Sequence, residues 1–400
     1  MTAKPAPPPA SGTSRRQPHE AVPRRVLFVT DFYREDLLAG IVSHAATANW
    51  ELDADMRHHG QFPPTEGADG ILATGCSQRM RAWLAAHASL PVVHMPMDVR
   101  TTPLPAVCSD YVAAGRAGAE HLLELGHVHF AFYCGHRGPE TVEALQGFEG
   151  LLRAARRPFV VLELAASHPD RDYSRISLAE RHRWLASQLA LLPRPLAVMC
   201  DDDRRALEML AACRLAGRRL PEDVAVLGCD NHWVAQGMSP VPLSSVDMNF
   251  KGIGRRAAEL LDGWMRGGPR PVPLTTIPPV GVVARRSTAA FVTDSPGITA
   301  AVLHLREHFR EPVRLAELLR LAGMSERAFE REFKRRVGRS ARAELQRLRI
   351  VCAARLLRDT ELKLSAIAAE SGFGSASKLC KAFAEAHGAS PSNWRQRSRS

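Results

Sequence analysis

The sequence predicts two α/β lobes on parallel sheets, followed by an all-α region made of two helix-turn-helix units. Three observations carry this. Strand-like and helix-like segments alternate over residues 25–287, only helical periodicity follows from Ile298, and the excess positive charge lies in that last part. At 400 residues the chain is too long for one ordinary domain, so two or three are expected.

Residues 1–24 hold Pro5, Pro7, Pro8, Pro9, Pro18 and Pro23 among polar filler and read as a disordered tail. Met1 to Arg25 lacks the apolar segment of a secretory signal, and no run of 18 apolar residues exists, so neither export nor a membrane-spanning helix is expected. Apolar runs at Val26–Thr30, Ile71–Ala73, Val92–His94, Ala106–Ser109, Phe130–Tyr133, Phe159–Leu162, Leu196–Met199 and Val224–Leu227 read as strands. Helical patterns fall near 36–47, 77–88, 111–125, 140–155, 177–191, 203–216 and 250–266. Strands apolar on both faces imply parallel sheets covered by helices on each side, and ligands in such folds bind at the strand carboxyl ends. Residues 25–287 form the expected sensing part, 288–296 a linker and 297–400 the helical part. The cysteines (76, 108, 134, 200, 213, 229, 352 and 380) show no C-x-x-C pair, so reduced buried thiols are expected rather than a zinc site or a disulfide scaffold.

The helical part repeats one pattern. Leu315 to Leu319, then Ala322-Gly323-Met324-Ser325, then Phe329 and Phe333 form the first copy, closing at Gly338. Leu364 to Ala368, Ser371-Gly372-Phe373, then Leu379 and Phe383 form the second, closing at Gly388. Each is a short helix, a glycine turn and a second helix. Ser325 and Ser375 are placed to cap the second helices. Phe329 and Phe333, four apart, share an inward face, while Arg327, Arg331 and Arg335 form a cationic stripe on another. Arginine suits a helix in the major groove because its fork pairs with guanine O6 and N7. Residues 297–400 carry 21 basic and 11 acidic groups, net +10, against 32 and 31 in the rest of the chain. A nearly neutral body with a basic end points to a polyanion partner.

Val313, Leu315, Leu318, Ala322-Gly323-Met324-Ser325, Arg327, Arg331, Phe333 and Lys334 resemble the first motif of the AraC/XylS family of transcription regulators. Leu348-Arg349, Ala354, Leu356-Leu357, Ile367-Ala368 and Gly372-Phe373 resemble its linker helix and second motif. Gly388, Ser390-Pro391 and Trp394-Arg395 resemble its closing signature, with Trp394 where tyrosine is usual. The resemblance implies double-stranded operator DNA as a partner, with Arg327, Glu330, Arg331 and Arg335 as the first contact set and Ala376, Ser377, Lys378 and Lys381 as the second. The small side chains at Ala376 and Ser377 imply less base readout by the second unit. RNA polymerase is a further candidate partner.

The front part resembles LacI-type, periplasmic-binding-protein-like (type I) sensor domains. Val107-Cys108-Ser109-Asp110-Tyr111, the stretch Leu220 to Asn231, and Leu243-Ser244-Ser245-Val246 carry that resemblance, which implies a small-molecule effector, a carbohydrate such as xylose, and a homodimer. Sugar hydroxyls are best met by carboxylates. Asp203 and Arg205 lie just past one strand and Asp230 past another, and both are assigned to ligand, as is Asp110 past a third, where a helix N-cap is the competing role. Asp31 and Arg34 follow the first strand, and Phe32, Tyr33 or Trp233 would stack on a sugar face. Sugar-binding relatives carry an arginine three residues before a Gly-Phe pair. Here Ala144 precedes Gly147-Phe148, and His136 or Arg137 would have to substitute.

An enzyme reading rests on Gly252-Ile253-Gly254-Arg255-Arg256-Ala257, part of a dinucleotide fingerprint too late in the domain, and a helix start explains it better. Asp201-Asp202-Asp203 lacks a calcium-loop glycine, and no G-x-S-x-G, P-loop or H-E-x-x-H is present. The expectation is a cytoplasmic, ligand-responsive, non-enzymatic transcription regulator without metal or cofactor. The alternative is a ligand-independent DNA-binding regulator with a degenerate sensor.

Overall fold

The structure, a computed structural model, describes residues 22–31, 33–75, 77–96, 102–290 and 295–399. The expected N-terminal tail therefore lies outside the described residues apart from its last three, as do Phe32, Cys76 and part of the linker. The chain forms two compact units. One holds the residues before Asp110 together with Phe250–Ile277, and the other holds Asp110–Asn249 and everything after Ile277.

The first unit contains β1 (Arg24–Thr30), α1 (Glu35–Ala48), β2 (Trp50–Asp53), α2 (Met56–His59), β3 (Gly70–Thr74), α3 (Gln78–Ala86), β4 (Val92–Met95) and β5 (Ala106–Ser109). The second begins with α4 (Tyr111–Glu124), β6 (His129–Cys134), α5 (Pro139–Ala154), β7 (Phe159–Glu163), α6 (Leu178–Leu191), β8 (Leu196–Cys200), α7 (Asp203–Leu215), β9 (Val224–Cys229), α8 (Trp233–Gly237) and β10 (Ser244–Asp247). The chain returns to the first unit for α9 (Phe250–Met265) and β11 (Leu274–Ile277), then re-enters the second through β12 (Gly281–Val283).

The first sheet runs β11-β5-β4-β3-β1-β2, all parallel. The second runs β12-β10-β9-β8-β6-β7, parallel except where β12 meets β10. Every residue of β3, β4, β8 and β9 is buried, as expected of strands covered on both faces. The strands that the apolar runs did not announce, β2, β10, β11 and β12, are short, and most of their residues are polar or only half-buried.

Glycines set two helix contacts. A Cβ on Gly254 of α9 would stand 2.0 Å from the Leu37 carbonyl oxygen of α1, and one on Gly40 equally close to that of Lys251. Gly252 and Gly254 thus both sit inside a helix, where Gly254 lets it approach α1, the helical placement that the sequence favoured over a dinucleotide loop. In the second unit, Gly115 of α4 lies against the Ala144 carbonyl of α5, and Gly147 of α5 against that of Val112.

Helices alone follow: α10 (Pro296–His308), α11 (Leu315–Ala322), α12 (Glu326–Val337), α13 (Ala341–Asp359), α14 (Leu364–Glu370), α15 (Ala376–His387) and α16 (Pro391–Arg399). They enclose two cores. Ile298, Val302, Leu305, Leu318, Phe329 and Phe333 fill one, and Ile350, Leu357, Ile367, Leu379 and Phe383 the other, with α13 serving both. Gly323 and Gly372 end α11 and follow α14 at φ 63° and 78°, the left-handed conformation that the turn requires.

Candidate ligand site and nucleic-acid interface

The turn from β8 into α7 carries three aspartates with three roles. Asp202 caps α7, accepting from the Arg205 amide at 2.6 Å. Asp203 points inward: Ser245 Oγ donates to its Oδ1 at 2.6 Å and the His232 amide to its Oδ2 at 2.7 Å. Burial pushes its carboxyl up to about 6, against those two hydrogen bonds. It clips down the loop after β9, where Asp230 and Asn231 adopt φ values of 111° and 53°. L-residues resist such angles, and they persist only when the surroundings over-determine them. Here the Asp230 amide donates to Val246 O at 2.9 Å, the Asn231 amide to Ser245 Oγ at 2.9 Å, and Arg285 Nη2 to Asn231 Oδ1 at 2.8 Å.

Asp201 is the aspartate with capacity left. Thr141 Oγ1, on the first turn of α5, donates to its Oδ2 at 3.3 Å, the Gly135 backbone favours its charged form, and among the described residues its buried Oδ1 meets no partner at full hydrogen-bond geometry. Burial raises its pKa well above the carboxylate range and Asp202 adds to the shift, with Arg205 opposing. A buried carboxyl in that state can both donate to and accept from a hydroxyl group. His136, two residues past β6, stacks on Tyr173 at 4.6 Å between ring centroids and 19° between planes. Arg137 instead pairs with Glu163 at 2.8 Å. Ala144 is buried in the α4–α5 contact, and Thr141, one turn earlier, is the α5 side chain that reaches Asp201.

The other sequence-assigned ligand residues have partners of their own. Arg205 is only 3% exposed and its Nη1 lies 2.7 Å from Oε1 of Glu208, also 3% exposed. Glu208 further accepts from Tyr133 Oη at 2.6 Å and Arg181 Nη1 at 3.0 Å. Burial works against the charge of Arg205, but Glu208, Tyr133, Asp202 and Asp201 outweigh it and hold its pKa above the ordinary value. Asp110 caps α4, accepting from the Ala113 amide at 2.8 Å, the competing role weighed from sequence. In the first unit Asp31 accepts from the Ser77 amide at 2.9 Å and so fixes the turn into α3. Arg34 bonds Asp36 at 2.9 and 3.1 Å and lies 3.5 Å over the Phe250 ring. Tyr33 and Trp233 are exposed, Trp233 stacking on His232. Among the described residues no His/Cys/Asp/Glu cluster fits a metal ion, and no helix is long and apolar enough to cross a membrane.

In the helical part α11–α12 and α14–α15 are the two helix-turn-helix units. Phe329 and Phe333 are buried and 5.2 Å apart, so the opposite face of α12 is presented outward. Arg331 and Arg335 there are 70% and 59% exposed, and Arg327 and Glu330 are exposed too. On α15, Ser377, Lys378 and Lys381 are exposed and Ala376 is half-buried. Ser375 caps α15, accepting from the Lys378 amide at 3.3 Å. Ser325 stands at the N-cap of α12 but its hydroxyl makes no cap bond, which corrects that expectation. The acidic Glu326 in the first turn favours the same helix end electrostatically.

The helical part meets the second sheet's unit at the C-terminal end of α4. Arg347 of α13 reaches Glu124 at 3.2 Å and grips Glu344 with two bonds at 2.8 and 2.9 Å. Beneath them His121 bonds Thr288 Oγ1 at 2.9 Å, and burial, reinforced by Arg306, lowers His121 to about 3 and His127 to about 4, so both rings are neutral.

Residues 119–288 match the periplasmic binding protein-like domain family and residues 318–397 the helix-turn-helix domain family. The chain is 27% identical over 379 residues to the xylose operon regulatory protein of Escherichia coli K12, covering 91% of this chain and 94% of that protein. It is 25% identical over 374 residues to its counterpart in Haemophilus influenzae, covering 91% and 95%. Among solved structures, that of the xylose-binding transcription activator XylR aligns with a TM-score of 0.57 and 23% identity over 93% of this chain and 98% of that one. A LacI family transcriptional regulator from Enterococcus faecium with bound ribose aligns over 68% of this chain and 100% of its own, with a TM-score of 0.52 and 19% identity.

Proposed function

We propose that this chain, which matches a periplasmic binding protein-like domain over 119–288 and a helix-turn-helix domain over 318–397, is a sugar-responsive transcription regulator of operator DNA of the AraC type, laid out like the xylose operon regulators to which it is similar. The observation that carries the sugar assignment is Asp201 Oδ1, a buried carboxyl oxygen at the carboxyl end of a central strand that meets no partner at full hydrogen-bond geometry among the described residues. A neutral polyol supplies the hydroxyl that this oxygen lacks, and the stacked Tyr173–His136 pair offers a flat wall for the C–H face of a sugar ring. Asp201, Thr141, His136 and Tyr173 are therefore the proposed ligand contacts in the second unit. Asp203, Arg205 and Asp110 support them from behind. Pentoses are the first class to test, since two regulators similar to this chain over 91% of its length are named for xylose.

On this reading residues 25–287 sense, 288–296 link and 297–400 bind DNA. The protein works in the cytoplasm as a homodimer on repeated half-sites, with RNA polymerase as a further partner, and it binds its effector without turning it over. The effector acts through differential affinity for two states of the sensor. The test is thermal unfolding of the full chain against pentoses, hexoses and polyols. A sugar at about 100 times its dissociation constant adds about 2.7 kcal/mol of stability, and Asp201→Asn removes that gain while leaving the ligand-free protein folded. No shift with any sugar, alongside intact sequence-specific DNA binding, would establish the ligand-independent regulator instead.

A further inference from the structure

Three arginines of α12 converge on one carboxylate. Arg331 Nε lies 3.5 Å from Glu332 Oε1, Arg335 places Nε and Nη2 at 3.3 and 2.9 Å from Oε2, and Arg336 Nη2 stands 3.3 Å from Oε2. Glu332 is 19% exposed, set between the buried Phe333 and the outward arginine face. The pairing is selective. Glu326 and Glu330 lie exposed on the same helix, yet Arg327 forms no ion pair with either among the described residues.

The atoms engaged differ in a way that matters for reading a base. Guanine O6 and N7 are met by two N–H groups of one guanidinium edge. Arg331 approaches Glu332 most closely through Nε, at 3.5 Å, and is 70% exposed, so its terminal nitrogens are accessible to pair end-on. Arg335 has its Nε/Nη2 edge committed to Glu332, so a bidentate side-on pairing would require that ion pair to break. We propose that Glu332 is a positioning residue that sorts the arginines of α12, aiming Arg331 at a base and assigning Arg335 to the phosphate backbone. This rests on the reading that α12 enters the major groove.

The experiment selects binding sites from a random duplex pool with the full-length protein. Affinities of the variants are then measured on the selected site, on its single-base changes and on random duplex across a salt series. Arg331→Ala is expected to erase preference at one base pair, a factor of roughly 5 to 150. Arg335→Ala is expected to weaken all duplexes alike and to lower the magnitude of the salt slope by about 1. Glu332→Gln, which frees the arginines, is expected to erode the preference that Arg331 confers while tightening random duplex. Glu332→Asp, which keeps the charge but shortens the reach, falls between. A role limited to helix stability would lower every affinity in proportion and leave base preference intact. The proposal is overturned if Arg335→Ala erases a base preference of its own, or if Glu332→Gln keeps the wild-type preference. Failure of the wild type to select any sequence would overturn the DNA-binding reading itself.

Discussion

Replacing Glu208 by glutamine separates support of the ligand site from contact with the ligand. The carboxylate receives Arg205, Arg181 and the Tyr133 hydroxyl at 2.7, 3.0 and 2.6 Å in an almost fully buried setting. Glutamine keeps the shape and can keep its oxygen on the two guanidiniums, but it carries no charge to balance them and its NH2 replaces the acceptor that the Tyr133 hydroxyl meets. Removing one partner of a buried ion pair costs about 3–5 kcal/mol, because the remaining charge stays buried without compensation. The residues involved join β6 to α7, so the loss appears as local opening there. Amide hydrogen exchange followed by mass spectrometry over 129–134 and 196–215 is the assay. A loss of that size raises exchange through opening by about 100- to 5,000-fold. Sugar affinity of the folded fraction should stay within a few-fold, since Asp201 and Tyr173 remain. If Glu208→Gln leaves exchange within tenfold of wild type yet abolishes sugar binding, the reasoning fails, and Arg205 contacts the ligand as the sequence alone implied.

Three further outcomes are expected. The folded value of Asp203, about 6, exceeds its unfolded value of 3.8, so the folded state keeps a proton that the unfolded chain releases. Stability then falls as pH rises through that window, Asp203 contributing at most about 1.4 kcal/mol per pH unit, and urea unfolding of Asp203→Asn should show a slope shallower than wild type by up to that amount, the part due to Asp201 remaining. Phe333→Ala, at a fully buried site against Phe329, should cost the first helix-turn-helix unit about 3–5 kcal/mol and remove specific DNA binding in a gel-shift assay, with sugar-induced stabilisation retained. Gly147→Ala forces a methyl to within 1.9 Å of the Val112 carbonyl oxygen and should lower the melting temperature, an overpacking cost of about 1–3 kcal/mol.

The central strands and both helix-turn-helix units were legible because their signals are local: apolar runs, helical spacing and glycines at left-handed turns. The short outer strands were not, since sequences such as Ser244-Ser245-Val246-Asp247 carry no apolar run and are set by their neighbours. The candidate site was legible only to the level of the turn. Sequence places Asp201, Asp202 and Asp203 at a strand end but cannot say which faces outward. That depends on Ser245, 42 residues beyond Asp203, and on Thr141, 60 residues before Asp201. Arg205 was assigned to ligand because its counter-ion Glu208 reads from sequence as an ordinary helix-surface glutamate. Tyr173 was missed although an aromatic amid polar loop residues is a usable signal. The Ser325 cap failed because residue type alone does not fix where a hydroxyl points.

Helix α4 begins on the Asp110 cap, directly after β5, and ends at Glu124, which meets Arg347 of the helical part. Its 14 residues make a rod of about 21 Å, and the glycine contacts with α5 leave little slack between the two helices. Such a rod multiplies angles into distances. A tilt of about 5° at its capped end sweeps Glu124 through about 2 Å over that length, enough to part a carboxylate from a guanidinium 3.2 Å away. A rod of that length turns a small rotation into a displacement comparable with the reach of a single ion pair.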